Sequence, residues 1–167
     1  MQYECDVGYD LIGVATRSCT ENKTWTGVEP YCKKVVCPVP VAPTHGEIAW
    51  RGHSFADTVS ISCFEGYTLV GDGTRSCLPD GTWSGSEPQC KPVECNPLPE
   101  LKNGRTVTKS LTFGGKAEYT CDSGYKLRGT RKRTCKADRT WSDREPICQL
   151  ILCPDPPTVP NGYALTP

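Results

Sequence analysis

The chain has 167 residues, with 19 Lys and Arg against 19 Asp and Glu, and it contains 12 cysteines. This cysteine density is typical of a disulfide scaffold. Disulfides persist in oxidising compartments, so we expect a secreted or cell-surface protein. Nucleic acid is not an expected partner of a secreted chain. The longest uninterrupted apolar run, 150–152, is far too short to cross a membrane, so we expect no membrane contact from this segment.

The cysteines follow a repeating frame. Cys5, Cys63 and Cys121 are spaced by a constant offset of 58 residues, and every other cysteine fits the same frame. A repeat this regular predicts a string of small modules rather than one large domain. The remaining slots are Cys19, Cys77 and Cys135; Cys32, Cys90 and Cys148; and Cys37, Cys95 and Cys153.

A full module has four cysteine slots, which predicts two complete modules, 37–90 and 95–148. Residues 1–32 lack the first slot, and residues 153–167 hold only the first, so we expect both to be partial modules of a longer protein. Four residues separate the last cysteine of one module from the first of the next. Linkers this short do not act as free tethers, so we expect neighbouring modules to touch end to end.

The predicted elements within a module are strands and turns. Gly8-Tyr9 predicts a turn into a strand, and the alternation of Val59 and Ile61 with serines predicts a half-buried strand. Asp80-Gly81 predicts a tight hairpin turn. The alternation recurs one repeat later at Ala117 and Tyr119. No stretch keeps a 3.6-residue period, so we predict an all-β fold of small disulfide-stapled modules arranged as an extended rod.

Together these residues resemble the complement control protein module, also called the sushi domain or short consensus repeat. The resemblance covers nearly the whole chain and recurs in each repeat. Its carriers in the first complete module, besides the four cysteines, are Gly66-Tyr67, Leu69, Gly71, Arg75-Ser76, Trp83 and Pro88.

Four cysteines allow three pairings, and the resemblance implies first-to-third and second-to-fourth. Cys19 and Cys153 are then left unpaired, and we expect their partners in a longer protein; pairing between two chains is the alternative. Zinc is not expected, because the tightest spacing is C-x4-C and only two histidines occur. No other cofactor is expected either. The implied disulfides are Cys5–Cys32, Cys37–Cys77, Cys63–Cys90, Cys95–Cys135 and Cys121–Cys148.

The resemblance implies a binding role and not catalysis. Sushi arrays bind proteins, chiefly complement fragments, adhesion partners and cytokines, and sometimes glycosaminoglycans. His53, Ser54 and Asp57 lie close in sequence, but they lack the strand–turn–helix setting of a nucleophile elbow. Three classes stay open: a recognition array in complement regulation or cell and matrix adhesion, a structural spacer rod without its own ligand, and a non-catalytic segment of a secreted protease.

The two complete modules differ in net charge. Residues 95–148 carry twelve Lys and Arg against six Asp and Glu, a net of +6, whereas residues 37–90 carry two against six, a net of −4. A focused basic patch attracts sulfated glycans or an acidic protein surface; an ordinary solvated face is the alternative. Most of the basic residues have uncharged counterparts one repeat earlier. The candidates for ligand binding are Lys126, Arg128, Arg131, Lys132, Lys136 and Arg139.

Two further positions break the internal repeat. Trp50 corresponds to Thr108, and an exposed Trp beside an Arg is favoured at binding hot spots. The alternative for Trp50 is packing against its own module. Asn22-Lys23-Thr24 is an N-glycosylation sequon in the slot of the Asp80-Gly81 turn, so we predict an exposed, glycosylated Asn22.

Overall fold

A computed structural model of the chain describes residues 1–155, 157 and 160–162. Every helix or strand in this part is a β-strand, which confirms the all-β prediction. The chain forms two compact units, Met1–Pro92 and Val93–Pro167. Most residues of the predicted partial module 153–167 lie outside the described part.

The first unit contains seven strands in three small antiparallel sheets. Strands β1 and β2 pair in the leading piece, β3, β4 and β6 form a three-stranded sheet with β4 in the centre, and β5 pairs with β7. The strands are β1 Tyr9–Ile12, β2 Tyr31–Lys34, β3 Gly46–Trp50, β4 Thr58–Cys63, β5 Tyr67–Val70, β6 Thr74–Ser76 and β7 Gln89–Pro92.

The second unit repeats the last two sheets. Strand β9 lies between β8 and β11, and β10 pairs with β12. The strands are β8 Gly104–Thr108, β9 Lys116–Cys121, β10 Tyr125–Arg128, β11 Lys132–Thr134 and β12 Ile147–Leu150.

Each three-stranded sheet buries one face. Val59 and Ile61 on β4 are buried, and Ala117 and Tyr119 hold the same positions on β9. The residues between them point to solvent, because successive side chains of a strand alternate between its faces. The core of the second unit is closed by the Trp141 ring, which is 9% exposed.

Disulfides compensate for these small cores. A module of this size buries little apolar surface, and each bridge is worth about 3.5–4 kcal/mol in the chain-entropy account of loop closure. The bonded pairs have Cα–Cα distances of 5.5–5.8 Å, and Cys19 and Cys153 are free and exposed. The pairs are Cys5–Cys32, Cys37–Cys77, Cys63–Cys90, Cys95–Cys135 and Cys121–Cys148.

The linker between the leading piece and the first complete module is ordered within the first unit. The backbone N–H of Val35 donates to the carbonyl of Gly8 (2.9 Å), and that of Phe55 donates to the carbonyl of Val35 (2.8 Å). A further bridge joins Val36 to Ser54. The linker therefore pairs with backbone on both sides.

Candidate functional site

The outer face of the sheet β8–β9–β11 carries a group of basic side chains. Lys116 and Glu118 point outward from β9, and the strand register places Lys132 of β11 opposite Glu118. Arg105 of β8 lies opposite Thr120, farther along β9. Outward residues on one strand are about 7 Å apart, so these cations extend over about 14 Å of the sheet. We call Arg105, Lys109, Lys116, Arg131 and Lys132 the sheet-face cluster.

Glu118 shows that several of these cations converge. Lys132 Nζ lies 2.8 Å from Glu118 Oε1. The pKa of Glu118 is lowered first by this hydrogen bond and by the charge of Lys132, and further by the charges of Arg131 and Lys109. Three cations therefore lie near a single carboxylate, so the face keeps an excess of positive charge.

The equivalent face of the first complete module is different in charge. At the positions 58 residues earlier in the repeat, which we call slots as for the cysteines, Glu47 corresponds to Arg105, Thr58 to Lys116 and Thr74 to Lys132. Ser62 Oγ donates to Glu47 Oε1 there, at 3.1 Å. Of the five cluster positions, only that of Lys109 keeps a cation in the first complete module, as Arg51. The same backbone thus forms without the other four cations, so the fold does not require them.

Lys126 and Arg128 lie on the other sheet of the unit. Both point outward from β10, and Arg128 Nε donates to Gln149 Oε1 across the pair at 2.8 Å. They line a shallow depression with Gln149 and 150–152, whereas Arg131 lines a separate one with Tyr119, Tyr125 and Leu127. The structure thus divides the predicted basic candidates among the sheet face, the β10–β12 pair and a hairpin turn. We call Lys126 and Arg128 the ribbon pair.

Lys136 and Arg139 belong to a hairpin turn. Lys136 Nζ forms an ion pair with Asp138 at 3.0 Å. Arg139 has a φ of 67° and donates its backbone N–H to the Lys136 carbonyl. Part of the charge of Lys136 is therefore compensated by its neighbour.

A basic residue that recurs in every repeat serves the fold. Arg133 Nε donates to the carbonyl of Ser142 at 2.8 Å, and Arg75 and Arg17 make the equivalent bonds to Ser84 and Thr26. These side chains tie β11, and its counterparts in the other repeats, to the segment that follows the tryptophan.

Sequence reasoning missed Lys109, whose position is already basic in the preceding repeat, and it also missed Arg105 and Lys116, which are new to this module. They are far from the cluster 126–139 in sequence and join it only through the register of the sheet. Slot-by-slot comparison with Glu47 and Thr58 holds the signal that could have found them.

Trp50 ends β3 and is 43% exposed. Its ring makes an edge contact with His53 at a centroid distance of 5.9 Å. The ring lines an open groove of about 590 Å³ together with Arg51, Ala56 and Asp57. Trp50 thus both contacts its own module and presents a surface to solvent.

His53, Ser54 and Asp57 hold the loop together. His53 Nδ1 lies 2.6 Å from the Cys37 carbonyl oxygen, and the Asp57 carboxylate accepts the backbone N–H of Ser54 at 2.8 Å. The carboxylate is therefore used to cap the turn instead of orienting the imidazole.

Asn22 lies in the exposed turn between Thr20 and Thr24. The Thr20 N–H donates to the Thr24 carbonyl at 2.8 Å, and Lys23 has a φ of 59°. Asn22 stays a predicted glycosylation site.

Within the described residues, no three His, Cys, Asp or Glu side chains are grouped as metal ligands would be. The same residues include no helix with the length and apolarity that a bilayer crossing requires.

The fold and the bridges define a class of tandem β modules, each stapled by two disulfides. The family model of the Sushi repeat (SCR repeat) matches residues 1–32, 37–90 and 95–148. The chain therefore belongs to the sushi repeat family, which confirms the resemblance.

Named relatives match almost the whole chain. It is 43% identical over 165 residues to the sushi, von Willebrand factor type A, EGF and pentraxin domain-containing protein 1 of Rattus norvegicus, covering 98% of this chain and 5% of the relative. Identity is 35% over 162 residues to protein lev-9 of Caenorhabditis elegans, covering 97% and 26%, and 30% over 161 residues to E-selectin of Sus scrofa, covering 90% and 33%. The chain thus spans a third or less of the length of these relatives.

Proposed function

We propose that this chain is a non-catalytic recognition segment of a large extracellular protein, acting in cell or matrix adhesion or in complement regulation. Its five disulfides support an oxidising, extracellular location. The basic module 95–148 supplies the binding surface, and its ligand is a sulfated glycosaminoglycan.

The observation that carries this proposal is the sheet-face cluster. Cations spread over about 14 Å of a pleated surface match an extended polyanion better than a single small anion. Val107 on β8 is exposed, between Arg105 on the same strand and Lys109 just after its end, so the face offers apolar as well as charged contact. Attraction to a polyanion is additive over such charges and is screened by salt.

The test is binding of a fluorescent heparin oligosaccharide to the full chain at several salt concentrations. A sheet-face variant carries Arg105→Gln, Lys116→Thr and Lys132→Thr, two of which are the residues of the preceding repeat. We expect a roughly 10- to 100-fold loss of affinity at low salt, since three exposed charge contacts are removed. The dependence of affinity on salt should also become shallower, since fewer ions are released.

Two matched variants locate the site. Lys126→Thr with Arg128→Val removes the ribbon pair, and Lys102→Thr with Arg144→Ser removes two cations outside both groups. We expect a smaller loss from the first and little change from the second. Equal affinity of the sheet-face variant and the wild type would overturn the glycan proposal for this face and favour a spacer role. If the chain bound to an immobilised acidic protein but not to heparin, the ligand of this face would be a protein instead.

A further inference from the structure

The junction between residues 1–34 and the first complete module is built on a glycine that an aromatic ring covers. Gly8 is buried and has a φ of 85°. A Cβ atom placed on Gly8 would overlap the ring of Phe55. The ring can lie against this backbone only because glycine has no side chain, and the positive φ is one that glycine adopts readily.

Backbone bonds hold the ring in place. The linker residue Val35 donates to Gly8 and accepts from Phe55, with N–O distances of 2.9 and 2.8 Å. The linker thus bonds to the backbone of both modules, and these bonds place Phe55 against Gly8. The second unit repeats the bond that positions the aromatic residue, because the N–H of Phe113 donates to the carbonyl of Val93 at 2.8 Å.

The second unit also repeats the glycine and the linker bond found where the Phe55 ring packs. Gly124 occupies the slot of Gly8 and has a φ of 86°. Ile151, in the slot of Val35, donates its N–H to the Gly124 carbonyl at 2.9 Å, as Val35 does to Gly8. Both the glycine conformation and the linker bond are therefore already in place at this end of the module.

Within the described part of the chain, the surface around Gly124 is open, whereas that of Gly8 is covered. Gly124 is exposed, and no described atom lies within 4 Å of its Cβ position. The linker residues Ile151 and Leu152, the first of which is bonded to Gly124 through its backbone, are 59% and 77% exposed. An accessible glycine backbone suits a flat apolar ring, and the linker that follows offers further apolar contact.

We propose that Gly124, Ile151 and Leu152 form a docking site for an aromatic side chain that a following sushi module presents in the position of Phe55. In the 58-residue frame that position falls just beyond Pro167. The matched stretch is 5% of the rat relative, so modules are embedded in much longer chains in this family. The occupant is thus the next module, with its aromatic residue as the anchor.

The experiment extends the chain by one module. Residues 1–152 are followed directly by a second copy of 37–92, so that the copy's own Phe55 can reach Gly124. The readout is the NMR chemical shift of the Gly124 α protons, which a ring stacked on them moves upfield. Gly8 in the same molecule, which already lies under a Phe55 ring, calibrates the size of the shift.

We expect the extension to move the Gly124 α protons upfield, toward the shifts of Gly8. Phe55→Ala in the added copy alone should abolish the movement at Gly124 and leave Gly8 unchanged. If the Gly124 protons do not move although disulfide mapping shows the added copy correctly bridged, the proposal is wrong.

A second variant tests the proposal even if the Phe55→Ala substitution disturbs the folding of the added copy. Gly124→Ala places a methyl group where the ring would lie, so the added module should reorient independently in ¹⁵N relaxation. Gly114→Ala is the matched control, because Gly114 lies in the same unit, has a positive φ of 78° and, like Gly124, has no described atom within 4 Å of its Cβ position. Independent motion in both variants would attribute the effect to backbone strain and would contradict the docking site.

Discussion

At the scale of single residues, the recurring tryptophan shows how one slot acquires different burial. Trp141 is 9% exposed, and its indole N–H donates to the Asn96 carbonyl at 2.9 Å. Trp83 makes the same bond to Pro38. Trp25 is 46% exposed, and the slot that supplies this carbonyl in the other repeats would precede Met1. The tryptophan ring closes the core of a module only where the segment that follows the module's first cysteine lies over the ring.

We predict that Trp141→Ala destabilises its module by about 3–5 kcal/mol, because it leaves a cavity in a small core. The Tyr119 amide, which donates to Arg131 at 2.9 Å, should then exchange with deuterium on the order of 100-fold faster or more. Trp25→Ala is the comparison. It should change exchange of the Tyr3 amide, which is bonded to Ala15, by less than about tenfold, since surface changes cost little. Similar effects of the two substitutions would contradict the role assigned to the first-slot segment.

At the scale of elements, the hairpin turn after the third cysteine slot depends on an aspartate. Asp138 accepts hydrogen bonds from both the hydroxyl and the backbone N–H of Thr140, at 2.6 and 2.9 Å. The Thr140 hydroxyl is the main cause that lowers the pKa of Asp138 from 3.8 to about 2, followed by Lys136. The pKa of Asp80 in the preceding repeat is also lowered, first by the Thr82 hydroxyl, with Leu78 in the slot of Lys136.

Because the pKa is depressed in the folded state, the carboxylate stabilises the turn above pH 4. This contribution is lost as the pH falls from about 4 through about 2. We predict that an NMR titration places the pKa of Asp138 near 2, and that Thr140→Val raises it more than Lys136→Gln does. A larger rise with Lys136→Gln would mean that the ion pair, and not the hydroxyl, holds the turn.

The elements themselves were predictable from sequence, while the grouping of charges on them was not. Alternation at Val59 and Ile61 predicted β4, because a half-buried strand needs a period of two. The basic run 126–139 was also visible, but the chain passes from β10 to β11 within it and so changes sheets. Lys126 and Lys132 therefore separate, whereas Arg105 joins Lys132 through cross-strand register that no local pattern contains. The extended rod stays a prediction.

At the scale of the whole molecule, the two units carry opposite charge. Residues 1–92 hold seven Lys and Arg against eleven Asp and Glu, and residues 93–167 hold twelve against eight. The neutral chain thus joins a unit of net charge −4 to one of +4. Opposite charges on separate units attract other copies as well as ligands.

We predict weak association between copies at low ionic strength, with the basic unit of one molecule against the acidic unit of another. Sedimentation should show a larger average mass at about 20 mM salt than at about 300 mM, where the screening length is below 10 Å. The sheet-face variant should associate less, and a heparin oligosaccharide should compete with association. Association that is insensitive to salt would instead indicate an apolar contact between copies.

The crossed pairing of cysteines has a consequence for biosynthesis. A chain that enters an oxidising compartment from its N-terminus presents Cys37 and Cys63 before Cys77, yet the bond that survives joins Cys37 to Cys77 across 40 residues. The first pair of thiols to meet during translocation is therefore a non-native one. Each module must either hold its early thiols reduced until its third cysteine arrives or reshuffle a premature bond by thiol–disulfide exchange. Secretion of a long array should thus depend on disulfide isomerase in proportion to the number of modules, with cells depleted of the enzyme retaining long arrays more than short ones.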